Sequence, residues 1–123
     1  MHEIKYDGYR AVTSTAGGKT IIRTRNGHDW SEKFTAIAGA LNDLLVAAAQ
    51  FDGEIAVADE KGHTDFGALQ NALADGDNSR MRYYIFDLLS LNGEDLKKSP
   101  LLERKQKLKS VLSSTKTMAP AAV

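Results

Sequence analysis

Apolar positions change their period several times along this chain, and each change predicts an element. Tyr9-Arg10-Ala11-Val12-Thr13-Ser14 and Lys19-Thr20-Ile21-Ile22-Arg23-Thr24-Arg25 flank Gly17-Gly18 with β-branched residues on both sides, the pattern of a hairpin. Asn26-Gly27 turns the chain, and Asp29 can cap a helix with Glu32 reaching back from three residues on. From Phe34 the apolar residues fall at Ile37, Ala38, Leu41, Leu44, Leu45 and Ala48, the spacing of one helical face, which Gly39 weakens slightly.

Gln50 to Asp59 reads as a strand, apolar except where Glu54 interrupts it, and Lys61-Gly62 bounds it. A short helix capped by Asp65 follows, with Phe66, Leu69, Gln70 and Leu73 on one side, and it ends in the loop Asp75-Gly76-Asp77-Asn78-Ser79. Arg82-Tyr83-Tyr84-Ile85-Phe86-Asp87-Leu88-Leu89 is apolar on both phases, which predicts a central strand covered on both faces. Asn92-Gly93 turns, and Ser99-Pro100 starts a last helix through about Val111-Leu112, with Lys105, Lys107 and Lys109 in its C-terminal half. Ser113 to Val123 shows no pattern. Strands and helices alternate, but the hairpin makes part of the sheet antiparallel. The fold class expected is α+β, a mostly antiparallel sheet with packed helices.

Length and charge narrow this reading. At 123 residues the chain is one domain's worth, and its 16 basic and 16 acidic residues cancel, so contact with nucleic acid has to come from a local patch. There are no cysteines, which excludes disulfides, thiolate metal sites and cysteine nucleophiles. No apolar run approaches ~18 residues and no signal-peptide pattern precedes Glu3, so the default expectation is a cytoplasmic protein with no membrane partner. Met1-His2 leads straight into a candidate strand, which suggests a fragment. His2, His28 and His63 share no metal-ligand spacing and read as surface residues, and no Walker or Rossmann glycine loop is present.

The candidate chemistry sits on or beside strands: Lys5 with Asp7, then Glu54, then Asp87. Taken singly, a charge in a strand is more often solvent-facing than functional, and an aromatic such as Phe86 more often core than ligand platform. A lysine nucleophile also needs activation. At a pKa of about 10.4 only about one amine in 2,500 is neutral at pH 7, a deficit of roughly 4.6 kcal/mol, which burial, a neighbouring cation such as Arg10 or a bound metal would reduce.

The wording of these segments and their order shift the balance. Lys5-Tyr6-Asp7-Gly8-Tyr9-Arg10 matches the Lys-x-Asp-Gly-x-Arg motif of covalent nucleotidyltransferases, a match expected by chance in roughly one such sequence in a thousand. Arg23-Thr24-Arg25-Asn26-Gly27, Phe51-Asp52-Gly53-Glu54 and Tyr84-Ile85-Phe86-Asp87-Leu88-Leu89 follow in order. Over residues 3 to about 112 the chain resembles the adenylation domain of ATP-dependent DNA ligases, with wording similar to bacterial end-joining ligases. The resemblance implies a partial adenylation domain over 1–112 with 113–123 as a tail.

It further implies that Lys5 is the nucleophile that takes AMP from ATP. Glu3 and the Ile4 backbone would meet the adenine edge, and Phe86 would stack on the ring. Arg10 would hold the ribose or lie beside the nick terminus, Arg25 would bind a phosphate or sugar, and Glu54 would accept from a ribose hydroxyl. Asp7 would be the local contact for Mg2+ or Mn2+. Nicked duplex DNA would be the substrate of the parent enzyme. The family's later Glu-bearing and Lys-x-Lys strands and OB-fold domain are not in these residues. Lys116-Thr117-Met118 stands in the patternless tail, and Lys105-Gln106-Lys107 and Lys107-Leu108-Lys109 fall inside a predicted helix, so none replaces them. The expectation is a weak or inactive fragment, with exposed sheet edges able to self-associate. The alternatives are a nucleotide- or partner-binding module without turnover, and an RNA ligase or capping-type nucleotidyltransferase, which shares the lysine motif.

Overall fold

The computed structural model describes residues 6–44, 46–112 and 118–120. A sheet in the order β2-β1-β3-β4-β5 organises them, antiparallel throughout this path. Its strands are β1 (Tyr9–Ala16), β2 (Lys19–Thr24), β3 (Ala48–Val57), β4 (Met81–Leu91) and β5 (Glu94–Asp95), and the helices are α1 (Thr35–Asn42), α2 (Phe66–Asp75) and α3 (Leu101–Leu112). A last strand, β6 (Met118–Pro120), pairs parallel with β4 at Tyr83–Ile85. Ser113 to Val123 therefore contributes a strand that no local pattern announces. Lys116 and Thr117 lie outside the described residues.

The predicted hairpin forms, with Ala16 opposite Lys19 across Gly17-Gly18. Asn92-Gly93 also turns as expected, and both residues take the positive φ, 51° and 89°, that a tight hairpin turn requires. Asp65 caps α2 by accepting from the N–H groups of Gly67 (2.8 Å) and Ala68 (3.3 Å), and α2 ends on Gly76 at φ 68°. Gln70, expected on the packed side of α2, is exposed. Ala68, Leu69, Ala72 and Leu73 form the packed side instead.

Asp29 does not cap a helix. Its carboxylate accepts from Ser31 N (3.1 Å) and Oγ (2.6 Å), and its backbone bridges to Arg23 of β2. The helix starts only at Thr35, with no side-chain cap, and stops at Asn42 although the apolar spacing continues to Leu44 and Ala48. Leu45 lies outside the described residues. Two tertiary contacts override the period. Asn42 Oδ1 accepts from Thr20 Oγ1 at 2.6 Å, and Ala48 is claimed by the sheet, opposite Ala16, with its N–H donated to Asn92 Oδ1 at 3.3 Å.

Ile22, Phe51, Ile55, Tyr83, Ile85 and Leu88 of the strands join Phe34, Ile37, Leu41, Leu69, Leu108 and Leu112 in one buried cluster. β4 is not covered on both faces, for Met81, Tyr83, Ile85 and Leu88 are buried while Arg82 is exposed and Tyr84 and Phe86 are half-buried. Much of the β2 edge is closed by the loop beyond it. Ile22 N–H donates to Ser31 Oγ, Trp30 N–H to the Ile22 carbonyl, and Thr24 N–H to the His28 carbonyl. Such a closed edge offers little to a strand from a second copy. Among the described residues no helix is long and apolar enough to cross a membrane.

Candidate functional site

Register places one residue from each of three strands in a row, Arg10 of β1 opposite Glu54 of β3, and Glu54 opposite Tyr84 of β4. All three alternate with core residues, so they share the face turned away from the core, as does Asp52 two residues before Glu54. Two glycines set how closely the strands approach. A Cβ on Gly8 would collide with the Ile55 carbonyl of β3, and one on Gly53 with the backbone of Tyr84 and Ile85. The glycines of Lys-x-Asp-Gly and Asp-Gly-Glu are thus packing requirements of the sheet beneath the site.

Arg10 is held in a fork. Its Nε and Nη2 donate to Asp52 Oδ1 and Oδ2, both at 2.8 Å, which raises the guanidinium pKa further above its already high value. So held, its Cζ lies 4.8 Å from the centre of the Phe86 ring. Tyr6 stacks on Tyr84 at 4.4 Å and lies 6.0 Å from Phe86, so three rings and one guanidinium cluster here. Arg25, in the turn after β2, joins Arg10, Val12, Thr24 and Asp52 around an open cleft of about 350 Å³. Asp7 lies at the other side, its N–H donated to Thr64 Oγ1 at 2.6 Å, beside a depression that Asp59, His63 and Arg80 also line.

Glu54 is half-buried, and burial raises its carboxyl pKa above the ordinary range. Arg10 opposes the shift and Asp7 adds to it. Its ionised form is therefore disfavoured by folding, so stability should fall as pH rises from the free-glutamate value of about 4.3 through the raised folded value. Glu54→Gln removes this dependence. Thermal midpoints of the two proteins, measured from about pH 4 to about pH 7, should diverge in favour of the variant as pH rises. A gap independent of pH would show that the carboxyl is not perturbed.

Four of the residues singled out from sequence, Arg10, Glu54, Phe86 and Arg25, are gathered on or beside this face, and Asp7 acts on it electrostatically through Glu54. Glu3, Ile4 and Lys5 lie outside the described residues. Among the described residues no group of three or more His, Asp or Glu side chains forms a metal cage. Asp7 and Glu54 nevertheless supply hard oxygen donors whose mutual repulsion a divalent cation would relieve. Asp52 had no role assigned from sequence. Its two-residue spacing from Glu54 was a signal for a shared face, but its grip on an arginine 42 positions away was not readable. Asp87, on β4, pairs with Arg104 of α3 at 3.0 Å.

Comparison with known proteins points the same way. The family model for the ATP dependent DNA ligase domain matches residues 1–122. The multifunctional non-homologous end joining protein LigD of Pseudomonas aeruginosa is 41% identical over 111 residues, covering 90% of this chain and 13% of that protein. The multifunctional non-homologous end joining DNA repair protein LigD of Mycobacterium tuberculosis is 30% identical over 118 residues, covering 96% of this chain and 15% of its own length. Among solved structures, mycobacterial DNA ligase D complexed with ATP and MES superposes with a TM-score of 0.76 at 30% identity, over 96% of this chain and 38% of that one. The chain thus spans about one seventh of the length of these curated relatives.

Proposed function

Because the chain belongs to the ATP-dependent DNA ligase domain family, we propose that its outward sheet face binds ATP and that Lys5 takes up AMP as the first step of joining DNA. The observation that carries this reading is the convergence of Phe86, Glu54 and Arg10 on one face, although they come from three separate strands. Phe86 offers a ring for adenine, Glu54 a half-buried acceptor for a ribose hydroxyl, and Arg10 a guanidinium preset by Asp52 for the sugar or the nick terminus. Glu3 and the Ile4 backbone would complete the adenine contacts. Arg25, which lines the same cleft as Arg10 and Asp52, suits a phosphate or sugar.

In the transfer, the neutral Lys5 amine attacks the α-phosphorus of ATP. A P–N bond forms, the P–O bond to pyrophosphate breaks, and the amine proton leaves to solvent. Magnesium or manganese, held by Asp7 with Glu54 nearby, would neutralise phosphate charge. In the longer protein the AMP would pass to the 5′-phosphate of nicked duplex DNA. The end-joining relatives support DNA over the RNA ligase and capping alternatives.

Intact mass measured after exposure of the full-length protein to ATP and magnesium should show one added AMP. ATP titration with an unchanged mass would instead favour a binding module without turnover. The base platform is tested separately. Phe86→Ala should weaken ATP binding by about tenfold or more, since stacking of a base on an aromatic ring contributes ~1–3 kcal/mol, while Phe86→Tyr should bind about as well as the parent. Equal ATP affinity in Phe86→Ala would remove Phe86 from the site.

A further inference from the structure

We infer that the Asp87–Arg104 ion pair sets the aim of the Phe86 ring and is thereby a positioning device for base recognition, an inference that rests on the adenine role proposed for Phe86. The sheet itself supports this ring poorly. In the pairing of β3 with β4, Gly53 lies opposite Ile85 and Asp52 opposite Asp87, so Phe86 is an extra residue with no partner on β3. Bulges of this kind re-aim a side chain and leave their residue outside the ladder. On the other flank of β4, β6 pairs with Tyr83–Ile85 and β5 with Ser90–Leu91. Among the described residues no strand lies beside Phe86 to Leu89 on that flank, where the Leu89 carbonyl is taken by Leu96 N–H at 2.9 Å.

The next residue carries the tether. Arg104 Nη1 donates to Asp87 Oδ2 at 3.0 Å, with the two side chains only 16% and 22% exposed. Arg104 closes the first turn of α3, its N–H bonded to the Pro100 carbonyl, and the same helix is anchored in the core by Leu108 and Leu112. Asp87 Oδ1 and Arg104 Nε are buried with no hydrogen-bond partner among the described residues, so the ion pair rests on the one hydrogen bond from Nη1 to Oδ2. Asp52 and Asp87 are backbone partners across the bulge. Each holds one arginine. Asp52 fixes Arg10, which lies over the Phe86 ring, and Asp87 fixes the backbone next to that ring to α3. The ring is thus set from both partners of the bulge.

The test reads ring position directly. In the ligand-free parent, nuclear Overhauser contacts should connect the Phe86 ring with the Arg10 side chain and the Tyr6 ring. Arg104→Leu should weaken them severalfold while the Tyr6–Tyr84 contact persists, lower ATP affinity about tenfold, and narrow the preference for ATP over GTP. Arg104→Lys keeps the cation and should restore most of each signal. Where Arg104→Leu does not fold, Asp87→Asn, which preserves shape and an acceptor, decides by the same contacts. A lowered unfolding midpoint with unchanged Phe86 contacts and unchanged base preference would overturn the inference, since a purely structural pair would give that result. Failure of the nucleotide reading looks different: ATP would not bind the parent, or would bind Phe86→Ala equally well, whatever the ring contacts show.

Discussion

Gly53→Ala should be among the most damaging single-methyl changes in this chain, lowering stability by about 3 kcal/mol or more and the thermal midpoint by about 10 °C or more. Gly53 stands on the core phase of β3 between Phe51 and Ile55, where a side chain would ordinarily point inward. That space is already filled. An added Cβ would strike the Tyr84 carbonyl and approach Ile85 Cα to 2.8 Å and Tyr83 Cε1 to 2.9 Å. The first two belong to the neighbouring strand's backbone, so relief requires the β3–β4 spacing to change. Tyr83 has little freedom either. Its hydroxyl donates to the Ala11 carbonyl at 2.9 Å, lies 3.3 Å from the Phe51 carbonyl and accepts from Thr13 Oγ1 at 3.4 Å. Moving the ring would strain these buried bonds, each costing ~1–3 kcal/mol if left unmade, and burial already holds the phenol neutral by raising its pKa. Denaturant titration checks the prediction, and a loss below about 1 kcal/mol would mean that the strands adjust freely.

The second large effect is on chemistry. Lys5→Ala should remove all covalent AMP from the full-length protein, and Lys5→Arg should do the same, because a guanidinium with a pKa above about 12 presents no free amine lone pair at neutral pH. Reversible ATP binding should fall much less, since the base and sugar contacts proposed above come from Phe86 of β4, Glu54 of β3 and Arg10 of β1. Intact mass distinguishes the two losses from each other when combined with an ATP titration of the same samples. Persistent label in Lys5→Ala would move the nucleophile elsewhere. Complete loss of ATP binding would instead show that Lys5 chiefly organises the pocket.

Much of this protein was legible in the residues themselves wherever the determining physics is local. Gly17-Gly18 and Asn92-Gly93 dictate hairpins because few residues accept positive φ, Asp65 marks a helix start through its bonds to Gly67 and Ala68, and α3 begins just after Pro100. The motif residues also narrowed the chemistry to propose, since lysine, arginine and paired carboxylates in a fixed order limit what a site can do. Other features depended on partners far along the chain. The early end of α1, the bulge at Phe86, the Arg10–Asp52 fork and the addition of β6 are each decided by which strand lies next to which. Periodicity marked β4 as buried on both sides, yet Tyr84 and Phe86 are only half-buried, on the face opposite Tyr83 and Ile85, where Tyr6 lies against both rings. Sequence alone therefore determined the locally specified elements and the inventory of reactive groups. The order β1-β3-β4 decided that Arg10, Glu54 and Phe86 meet, because side-chain proximity in a sheet is a property of strand pairing and register, neither of which any one segment encodes.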